Sequence, residues 1–273
     1  MNGFGTTFLF KQKNGEWSTQ PLAWHNRGFL FGDGLFETMV FQSNKIRFSD
    51  DHQLRVLDGI ANLSLDREEL SSIQQIEKTV NHFFPNSKAL RIRWNIFRAG
   101  YGRYSPPENS THETLQIESF IKSDGLKINA FVSDKIRIPE LPWSNCKTLN
   151  SLTYVLANQE RIDKKMDEVI LLNSKGLVSE AGSSNIFWIK NGVYYTPSLT
   201  CSCISGIGRK QIIRKLETEG KEIVEGEFYP IELVKADKIF TSNAIGVSYI
   251  QFLNNWEFDI EPDPIIDEIF QMN

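Results

Sequence analysis

The sequence GFLFGDGLFETMVFQSNKIRFS, residues 28–49, alternates apolar runs with glycines and turn-forming residues. Its apolar and aromatic runs predict two strands that flank a turn at Ser43-Asn44. Gly32 and Gly34 flank Asp33, which indicates a turn with unusual backbone angles or a close approach to another group. A sheet therefore begins the fold, and the glycine-rich turn is either purely structural or part of a site.

Two amphipathic helices are predicted after these strands. Ser49-Asp50-Asp51 begins the first helix, whose apolar residues recur at spacings of three and four: Leu54, Leu57, Ile60 and Ala61. The second helix is predicted to begin at Asp66, with Glu69 three residues later as in a capping box. Its apolar face consists of Leu70, Ile73, Ile76 and Val80.

A strand with two unlike faces comes next. Its apolar residues are Leu90, Ile92, Trp94 and Ile96, which alternate with Arg91, Arg93, Asn95 and Phe97. This alternation predicts one buried face and one polar, strongly basic face. TLQIESFI, residues 114–121, predicts another strand, and Ser-Asp-Gly at 123–125 is turn chemistry. We therefore predict a smaller domain over residues 1–120 and a linker over 121–125.

The remaining residues, 126–273, predict a larger domain of short strands and helices. The strand-like segments are LKINAFV, DEVILLN, NIFWIK, GVYYTP and KIFTS. One helix is marked by Leu152, Val155, Leu156 and Ile162, and another by Ile212, Ile213 and Leu216. Strands and helices are mixed without a regular βαβ period, so the fold class is predicted to be α+β rather than doubly wound α/β.

The composition is that of an ordinary globular protein of 273 residues. Thirty Lys and Arg against 34 Asp and Glu give a net charge of −4, which argues against nucleic acid as a partner because phosphates require clustered positive charge. No stretch approaches the ~20 apolar residues that span a bilayer, and we see no signal peptide. Three cysteines are too few for a disulfide framework. We expect a cytoplasmic protein with no membrane partner.

Two single charged residues stand out in the larger domain. Lys147, in NCKTLNSL (residues 145–152), lies in a loop that enters a helix, where desolvation would lower its pKa and free its amine for Schiff-base chemistry. The alternative is a solvated surface lysine. Glu180, in GLVSEAGSSNIFWI (residues 176–189), lies between an apolar strand and a turn, and a buried carboxylate there would need a partner. The alternative is an exposed glutamate in an ordinary β-turn.

An anion site is indicated by CISGIGRKQIIRKL, residues 203–216. Ser205 and Gly206 lead into a helix with Ile207 and Gly208 in its first turn, where free backbone N–H groups can bind an anion. Metal ligands are not indicated, because the histidines are widely separated and Cys201-Ser202-Cys203 has no second pair at zinc spacing. A serine hydrolase is not indicated either, since the chain has no G-x-S-x-G motif.

Taken in order, these stretches resemble the class IV aminotransferase family, the fold-type IV enzymes that use pyridoxal 5′-phosphate (PLP). The resemblance is carried by RGFLFGDGLFET, HQLRVL, RIRWNIFRAGYGR, CKTLNSL, SEAGSSNIFW, GIGR and IFTSNA, and runs from about residue 26 to about residue 247. It implies a smaller α/β sandwich domain and a larger pseudo-barrel domain that carries the Schiff-base lysine. It also implies a homodimer that acts on a small amino-group substrate with a carboxylate.

The resemblance implies a role for each matching residue. Lys147 would form the Schiff base with PLP and move a proton, and Glu180 would face the pyridine nitrogen and keep it protonated. Further cofactor contacts, mainly to the phosphate, are implied for Arg55, Ile207, Gly208, and Ser242 or Asn243.

The motifs also bear on the subgroup. Branched-chain aminotransferases usually show FEG where this chain has Phe36-Glu37-Thr38, a tyrosine at the position of Leu152, and G-I-T-R where Gly208 replaces the threonine. FET resembles the subgroup of lyases that convert 4-amino-4-deoxychorismate to 4-aminobenzoate and pyruvate, which implies that Thr38 assists proton transfer. Substrate contacts are implied for Phe36, Arg98 and Arg103, although the two arginines could instead be solvated loop residues.

The lead hypothesis is therefore a PLP-dependent lyase of this subgroup. A D-amino acid or other class IV transaminase is the first alternative, because D-amino acid aminotransferases share the spacing from the lysine to a leucine. A non-catalytic PLP-binding or dimeric interaction protein is the second alternative, and the presence of Lys147, Glu180 and Arg55 together argues against it.

Overall fold

The computed structural model describes residues 5–22, 26–122 and 125–271, and the chain divides into two compact units. Unit 1 consists of Met1–Ile121 and Cys146–Ser151, and unit 2 of Lys122–Asn145 and Leu152–Asn273. The sequence-based division assigned Lys147 to the C-terminal domain. The structure differs, because the segment Cys146–Ser151 pairs with a strand of unit 1. Residues 123 and 124 of the expected linker lie outside the described residues.

Unit 1 contains a six-stranded antiparallel sheet in the order β2-β1-β6-β5-β3-β4. Its strands are β1 (Thr7–Lys11), β2 (Trp17–Ser18), β3 (Gly34–Gln42), β4 (Lys45–Ile46), β5 (Ala89–Arg98) and β6 (Thr111–Ser119). The turn at Ser43-Asn44 is confirmed, with both residues at positive φ as a tight hairpin turn requires. The alternation along β5 is also confirmed, because Leu90, Ile92, Trp94 and Ile96 are all buried.

Three helices belong to unit 1: α1 (Arg27–Phe31), α2 (Ser49–Asn62) and α3 (Ile73–Phe83). The prediction of a strand over the first apolar run was wrong, since residues 27–31 form α1. Asn26 caps this helix by accepting from the Phe29 N–H, and Gly32 ends it at a φ of 62°. Local capping therefore outweighs the strand-like composition of this run.

The predicted start of α3 was wrong as well. A capping box forms between Ser72 and Gln75, so the helix begins at Ile73 rather than at Asp66. Its buried face is as expected, because Ile73, Ile76 and Val80 are fully buried. In α2 the start at Ser49 is confirmed, but Leu54 is exposed, and the core is formed instead by Val56 and Ile60.

Unit 2 is built on a mixed nine-stranded sheet in the order β12-β11-β10-β13-β14-β7-β8-β9, with β15 paired to β14. The strands are β7 (Leu126–Ile138), β8 (Glu168–Asn173), β9 (Val178–Ala181), β10 (Asn185–Lys190), β11 (Val193–Pro197), β12 (Ile223–Gly226), β13 (Lys238–Ser242), β14 (Val247–Leu253) and β15 (Trp256–Glu257). β9 also lies close to β10, so the sheet curls. With helices packed on sheets in both units, the predicted α+β class is confirmed.

The helices of unit 2 are α4 (Leu152–Asp163), α5 (Ile207–Thr218) and α6 (Pro264–Phe270). The apolar face predicted for α4 is exposed rather than buried, with 47 to 61% of the surface of each residue accessible: Leu152, Val155, Leu156 and Ile162. The helix packs on the sheet through its other side, where Ala157 and Glu160 are buried. Within the described residues, no helix has the length and apolar character that crossing a bilayer requires.

Candidate active site

Lys147 is held by backbone pairing to the edge of β3. The Phe36 N–H donates to the Lys147 carbonyl and the Leu149 N–H donates to the Gly34 carbonyl, each at 2.9 Å. Leu35 and Thr148 form the bridge between these two bonds. Phe36 is therefore opposite Lys147, and their side chains share one face of the sheet.

The glycines of the GDG turn make this pairing possible. A Cβ on Gly34 would lie 2.3 Å from the Ile96 carbonyl oxygen, and one on Gly32 would lie 3.1 Å from the backbone of Asn150. Gly32 also has a positive φ that side chains rarely adopt. The sequence-based expectation of an unusual conformation or a close approach is confirmed at both positions.

Two cations flank the Phe36 ring on this face. The Lys147 Nζ lies 4.5 Å from the ring centroid and the Arg93 Cζ lies 3.5 Å from it. Burial, and secondarily the charge of Arg91, lowers the pKa of Arg93 to about 10, so the guanidinium stays charged at neutral pH. Its Nε donates to the Asn95 amide oxygen at 2.8 Å rather than to a carboxylate. This cation is suited to an anionic ligand.

Thr38 belongs to the same face of β3, because alternate residues of a strand point to the same side. It is paired directly with Arg93 on β5. Four residues that can bind or protonate a substrate thus share one face of unit 1: Phe36, Thr38, Arg93 and Lys147.

The opposite face of β3 carries a buried ion cluster around Glu37. Arg55 donates to both of its carboxylate oxygens, from Nε at 2.7 Å and Nη2 at 2.5 Å, and His52 Nδ1 lies 2.6 Å from Oε2. Burial opposes ionisation of Glu37, but Arg55 and His52 outweigh it and lower its pKa from 4.5 to about 2. This pairing orients Arg55, whose contact with the cofactor phosphate stays a prediction.

The structure gives Arg98 a structural role instead of the expected substrate contact. Its guanidinium is buried and donates to Asp33, to the amide of Asn109 and to the carbonyls of Leu63 and Ser64. All three nitrogens are therefore engaged within unit 1, which explains why a basic residue in this motif need not face a ligand. Arg103 is exposed, and its carbonyl accepts from Arg27 at 2.7 Å.

Glu180 of unit 2 is buried, which excludes the alternative of an exposed glutamate. Its Oε1 accepts from the Tyr154 hydroxyl at 2.5 Å and its Oε2 from the Ile204 N–H at 3.1 Å. Burial and the negative charge of Glu180 raise the pKa of the Cys203 thiol to about 12. The carboxylate is thus held by donors and lies beside a thiol that stays protonated.

A cradle for an anion forms at the start of α5, in the same unit. Gly206 caps the helix without a side chain, and a Cβ on Gly208 would lie 2.4 Å from the Asn243 carbonyl oxygen and 2.5 Å from Ser242 Oγ. Ser242 is 1% exposed, and its hydroxyl has no hydrogen-bond partner among the described residues. The helix start brings Ile207, Gly208, Ser242 and Asn243 together, as the motifs had suggested.

Three residues of these clusters were not singled out from the sequence as site residues. Arg93 was noted only as part of a basic strand face, although its position two residues before Asn95 placed it on that face. His52 was dismissed as a metal ligand, and its place one turn before Arg55 was the available signal. Tyr154 gave no signal, because its contact with Glu180 is made between distant parts of the chain.

A sequence model of the family described as amino-transferase class IV matches residues 34–251. The chain belongs to this family. It is 29% identical to a putative branched-chain-amino-acid aminotransferase of Methanocaldococcus jannaschii over 79% of this chain and 76% of that protein. It is 27% identical to a D-alanine aminotransferase of Bacillus licheniformis (80% and 77% covered) and 22% identical to an aminodeoxychorismate lyase of Vibrio harveyi (81% and 82% covered).

Solved structures show the same fold. The branched-chain amino acid aminotransferase of Escherichia coli superposes with a TM-score of 0.83 at 23% identity, covering 97% of this chain and 91% of that one. A second branched-chain amino acid aminotransferase, from T.th. and solved with N-(5′-phosphopyridoxyl)-L-glutamate, gives a TM-score of 0.81 at 18% identity (96% and 91% covered). The predicted fold-type IV architecture is therefore confirmed.

Membership of the class IV aminotransferase family implies PLP as the cofactor, and the residues present fit it. The Ser242 hydroxyl, unpartnered among the described residues, and the N–H groups at the start of α5 suit a phosphate. The buried Glu180 carboxylate suits a protonated pyridine nitrogen, and the Lys147 amine suits an aldehyde.

The Glu37 cluster predicts a specific pH dependence of stability. Because the pKa of Glu37 is about 2 in the folded chain against 4.5 as its ordinary value, its ionisation stabilises the fold above pH 4.5. This contribution is lost as the pH falls from about 4.5 towards 2. Glu37→Gln should therefore lower the free energy of unfolding by about 3 kcal/mol at pH 7, since Arg55 loses its counter-charge.

Urea denaturation of both proteins between pH 7 and pH 3 measures this. The difference in unfolding free energy should shrink as the pH falls below 4.5. The exposed Glu219 is the control, and Glu219→Gln should have little effect at any pH. A difference that is absent at pH 7, or that persists undiminished at pH 3, would contradict the role of the cluster.

Proposed function

We propose that this class IV aminotransferase-family chain is a PLP-dependent lyase that converts 4-amino-4-deoxychorismate to 4-aminobenzoate and pyruvate, a step that supplies folate synthesis. The observation that carries the proposal is the pairing of Thr38 with Arg93 on the sheet face that also bears Lys147. This substrate has two carboxylates and loses its enolpyruvyl group after proton removal. The reaction therefore needs a cation for a carboxylate and at least two groups that move protons.

Each of these needs has a candidate. Arg93 is a desolvated cation without a carboxylate in its hydrogen bond to Asn95, so it is suited to bind a substrate carboxylate. The Nζ of Lys147 would take the proton from the amine-bearing carbon, and the Thr38 hydroxyl would deliver one to the methylene carbon of the leaving enolpyruvyl group. Phe36 would support the substrate ring by stacking.

The cofactor would be held by residues that each offer one kind of contact. Glu180 would accept from the pyridine N–H, and the phosphate would be bound by Arg55, Ser242, Asn243 and the N–H groups of Ile207 and Gly208. When bound, PLP supplies an electron sink for the charge left at the amine-bearing carbon. Formation of an aromatic ring drives the elimination, so the protein mainly has to position proton donors and acceptors.

The second candidate is a D-amino acid transaminase. It is favoured by Leu152, which occupies the place of the tyrosine usual in branched-chain enzymes, and by the similarity to the D-alanine aminotransferase of Bacillus licheniformis. A transaminase has no need of a second proton donor for a leaving group. Thr38 is thus the residue on which the two candidates differ.

The deciding experiment supplies 4-amino-4-deoxychorismate to the purified holoenzyme and measures pyruvate and 4-aminobenzoate, alongside D-alanine with 2-oxoglutarate. The lyase reaction should proceed with a kcat/KM at least about 100-fold above that of transamination, and Thr38→Val should lower the lyase kcat by about 100-fold because general acid catalysis is lost.

Thr38→Ser, which keeps a hydroxyl, is the matched variant and should retain most of the activity. Transamination faster than the lyase reaction, with conversion of the cofactor to its amine form by D-alanine, would favour the second candidate. Unchanged lyase turnover in Thr38→Val would remove the role of this hydroxyl.

We also propose that the chain forms a homodimer through the exposed apolar face of α4. This face consists of Leu152, Val155, Leu156 and Ile162, all without substantial cover in the single chain. An apolar stripe of this kind on a helix is typical of an interface, because contact with a second copy removes it from water.

Light scattering during gel filtration tests the dimer. The wild-type protein should elute with the mass of two chains, and Val155→Lys should reduce the mass to that of one, because a charge would be buried in the interface. Ile231→Lys changes an equally exposed isoleucine elsewhere in unit 2 and should leave the dimer intact. A monomeric wild type, or a dimeric Val155→Lys, would contradict the proposal.

A further inference from the structure

Glu180 is held by two donors from different parts of unit 2. The backbone N–H of Ile204 binds one oxygen at 3.1 Å, and the hydroxyl of Tyr154 on α4 binds the other at 2.5 Å. A buried carboxylate without such donors would be costly, since it loses its hydration. Tyr154 is the side chain that supplies a charge-assisted hydrogen bond here, and such bonds are stronger than those between neutral groups.

The Tyr154 ring is fixed by its surroundings. It packs against a buried cluster that includes Phe131, Ala157 and Val169. One helical turn later, the Asn158 amide donates to the Gly182 carbonyl at 3.0 Å and to the Tyr154 carbonyl at 2.9 Å. Helix α4 is thereby tied to the turn that follows β9, the strand that carries Glu180. The hydroxyl and the carboxylate are thus held in register by the packing and by a second hydrogen bond.

The Tyr154 hydroxyl remains a donor at neutral pH. Burial, together with the negative charge of Glu180 and the hydrogen bond to it, raises the pKa of Tyr154 far above its ordinary value of 10. The proton therefore stays on the tyrosine, and the carboxylate accepts it in a hydrogen bond.

We propose that Tyr154 is a positioning residue that orients the Glu180 carboxylate as the acceptor for the pyridine N–H of the cofactor. This inference rests on the proposed role of Glu180 towards PLP, and it does not depend on whether the enzyme is a lyase or a transaminase. Tyr154 lies outside the motifs that carry the family resemblance, apart from following CKTLNSL in the chain.

The test compares PLP with its carbocyclic analogue, in which a C–H replaces the pyridine nitrogen. The full-length protein is freed of cofactor and titrated with each compound, and dissociation constants are measured by fluorescence. Tyr154→Phe keeps the ring and removes the hydroxyl. It should weaken PLP binding by about tenfold, the loss expected for one hydrogen bond to a charged group. Binding of the analogue, which has no N–H for Glu180, should change less than twofold.

Tyr194→Phe is the matched control, because Tyr194 also donates to a buried carboxylate of unit 2, that of Asp263, at 2.5 Å. This variant should leave both dissociation constants unchanged, and thermal unfolding of both variants reports any general loss of stability. Equal weakening of the two compounds by Tyr154→Phe, or no weakening of either, would overturn the inference. If wild-type protein binds PLP no more tightly than the analogue, the proposed role of Glu180 itself fails, and the inference fails with it.

Discussion

Two backbone hydrogen bonds, between β3 and the segment that carries Lys147, fix the arrangement of the reactive side chains in unit 1. They place Phe36 opposite Lys147, and the alternation of the strand then places Thr38 on the same face. A shift of the pairing by one residue would send these side chains to the other face, where the core lies. Gly34 permits the register because no other residue fits against the Ile96 carbonyl.

Buried carboxylates organise the rest of the machinery. In unit 1, Glu37 lies behind β3 and is held ionised by Arg55 and His52. In unit 2, Glu180 is held by Tyr154 and Ile204. In both cases an acid that would be costly to bury alone is supplied with donors, so its orientation is set before any ligand binds. The anion cradle follows the same logic with opposite sign, since Ser242 offers a donor that has no acceptor in the described part of the chain.

Much of this could be predicted from the sequence, because it rests on local patterns. The alternation along β5, the helix start at Ser49 and the glycines around Asp33 all report local requirements of the backbone. The family motifs brought Ile207, Gly208, Ser242 and Asn243 together correctly. The start of α3 was missed because two capping signals compete within seven residues, and the one at Ser72 forms.

The remaining features depend on contacts between distant residues. No local pattern distinguishes Arg98, which is consumed by Asp33 and backbone carbonyls, from Arg93, which remains beside Phe36. The exposed apolar face of α4 carries the same spacing as a buried one, so periodicity alone assigned it to the core. Tyr154 likewise has a role only because α4 is packed beside β9.

The central claim is that Lys147, held at the edge of β3, is the residue that carries the cofactor. Treating the PLP-loaded enzyme with borohydride, digesting it and locating the modified peptide by mass spectrometry tests this claim most directly. The account predicts that the reduced cofactor is found on Lys147 and that Lys147→Arg abolishes the modification. A modification on a different lysine, or bound PLP that cannot be reduced onto any lysine, would contradict it.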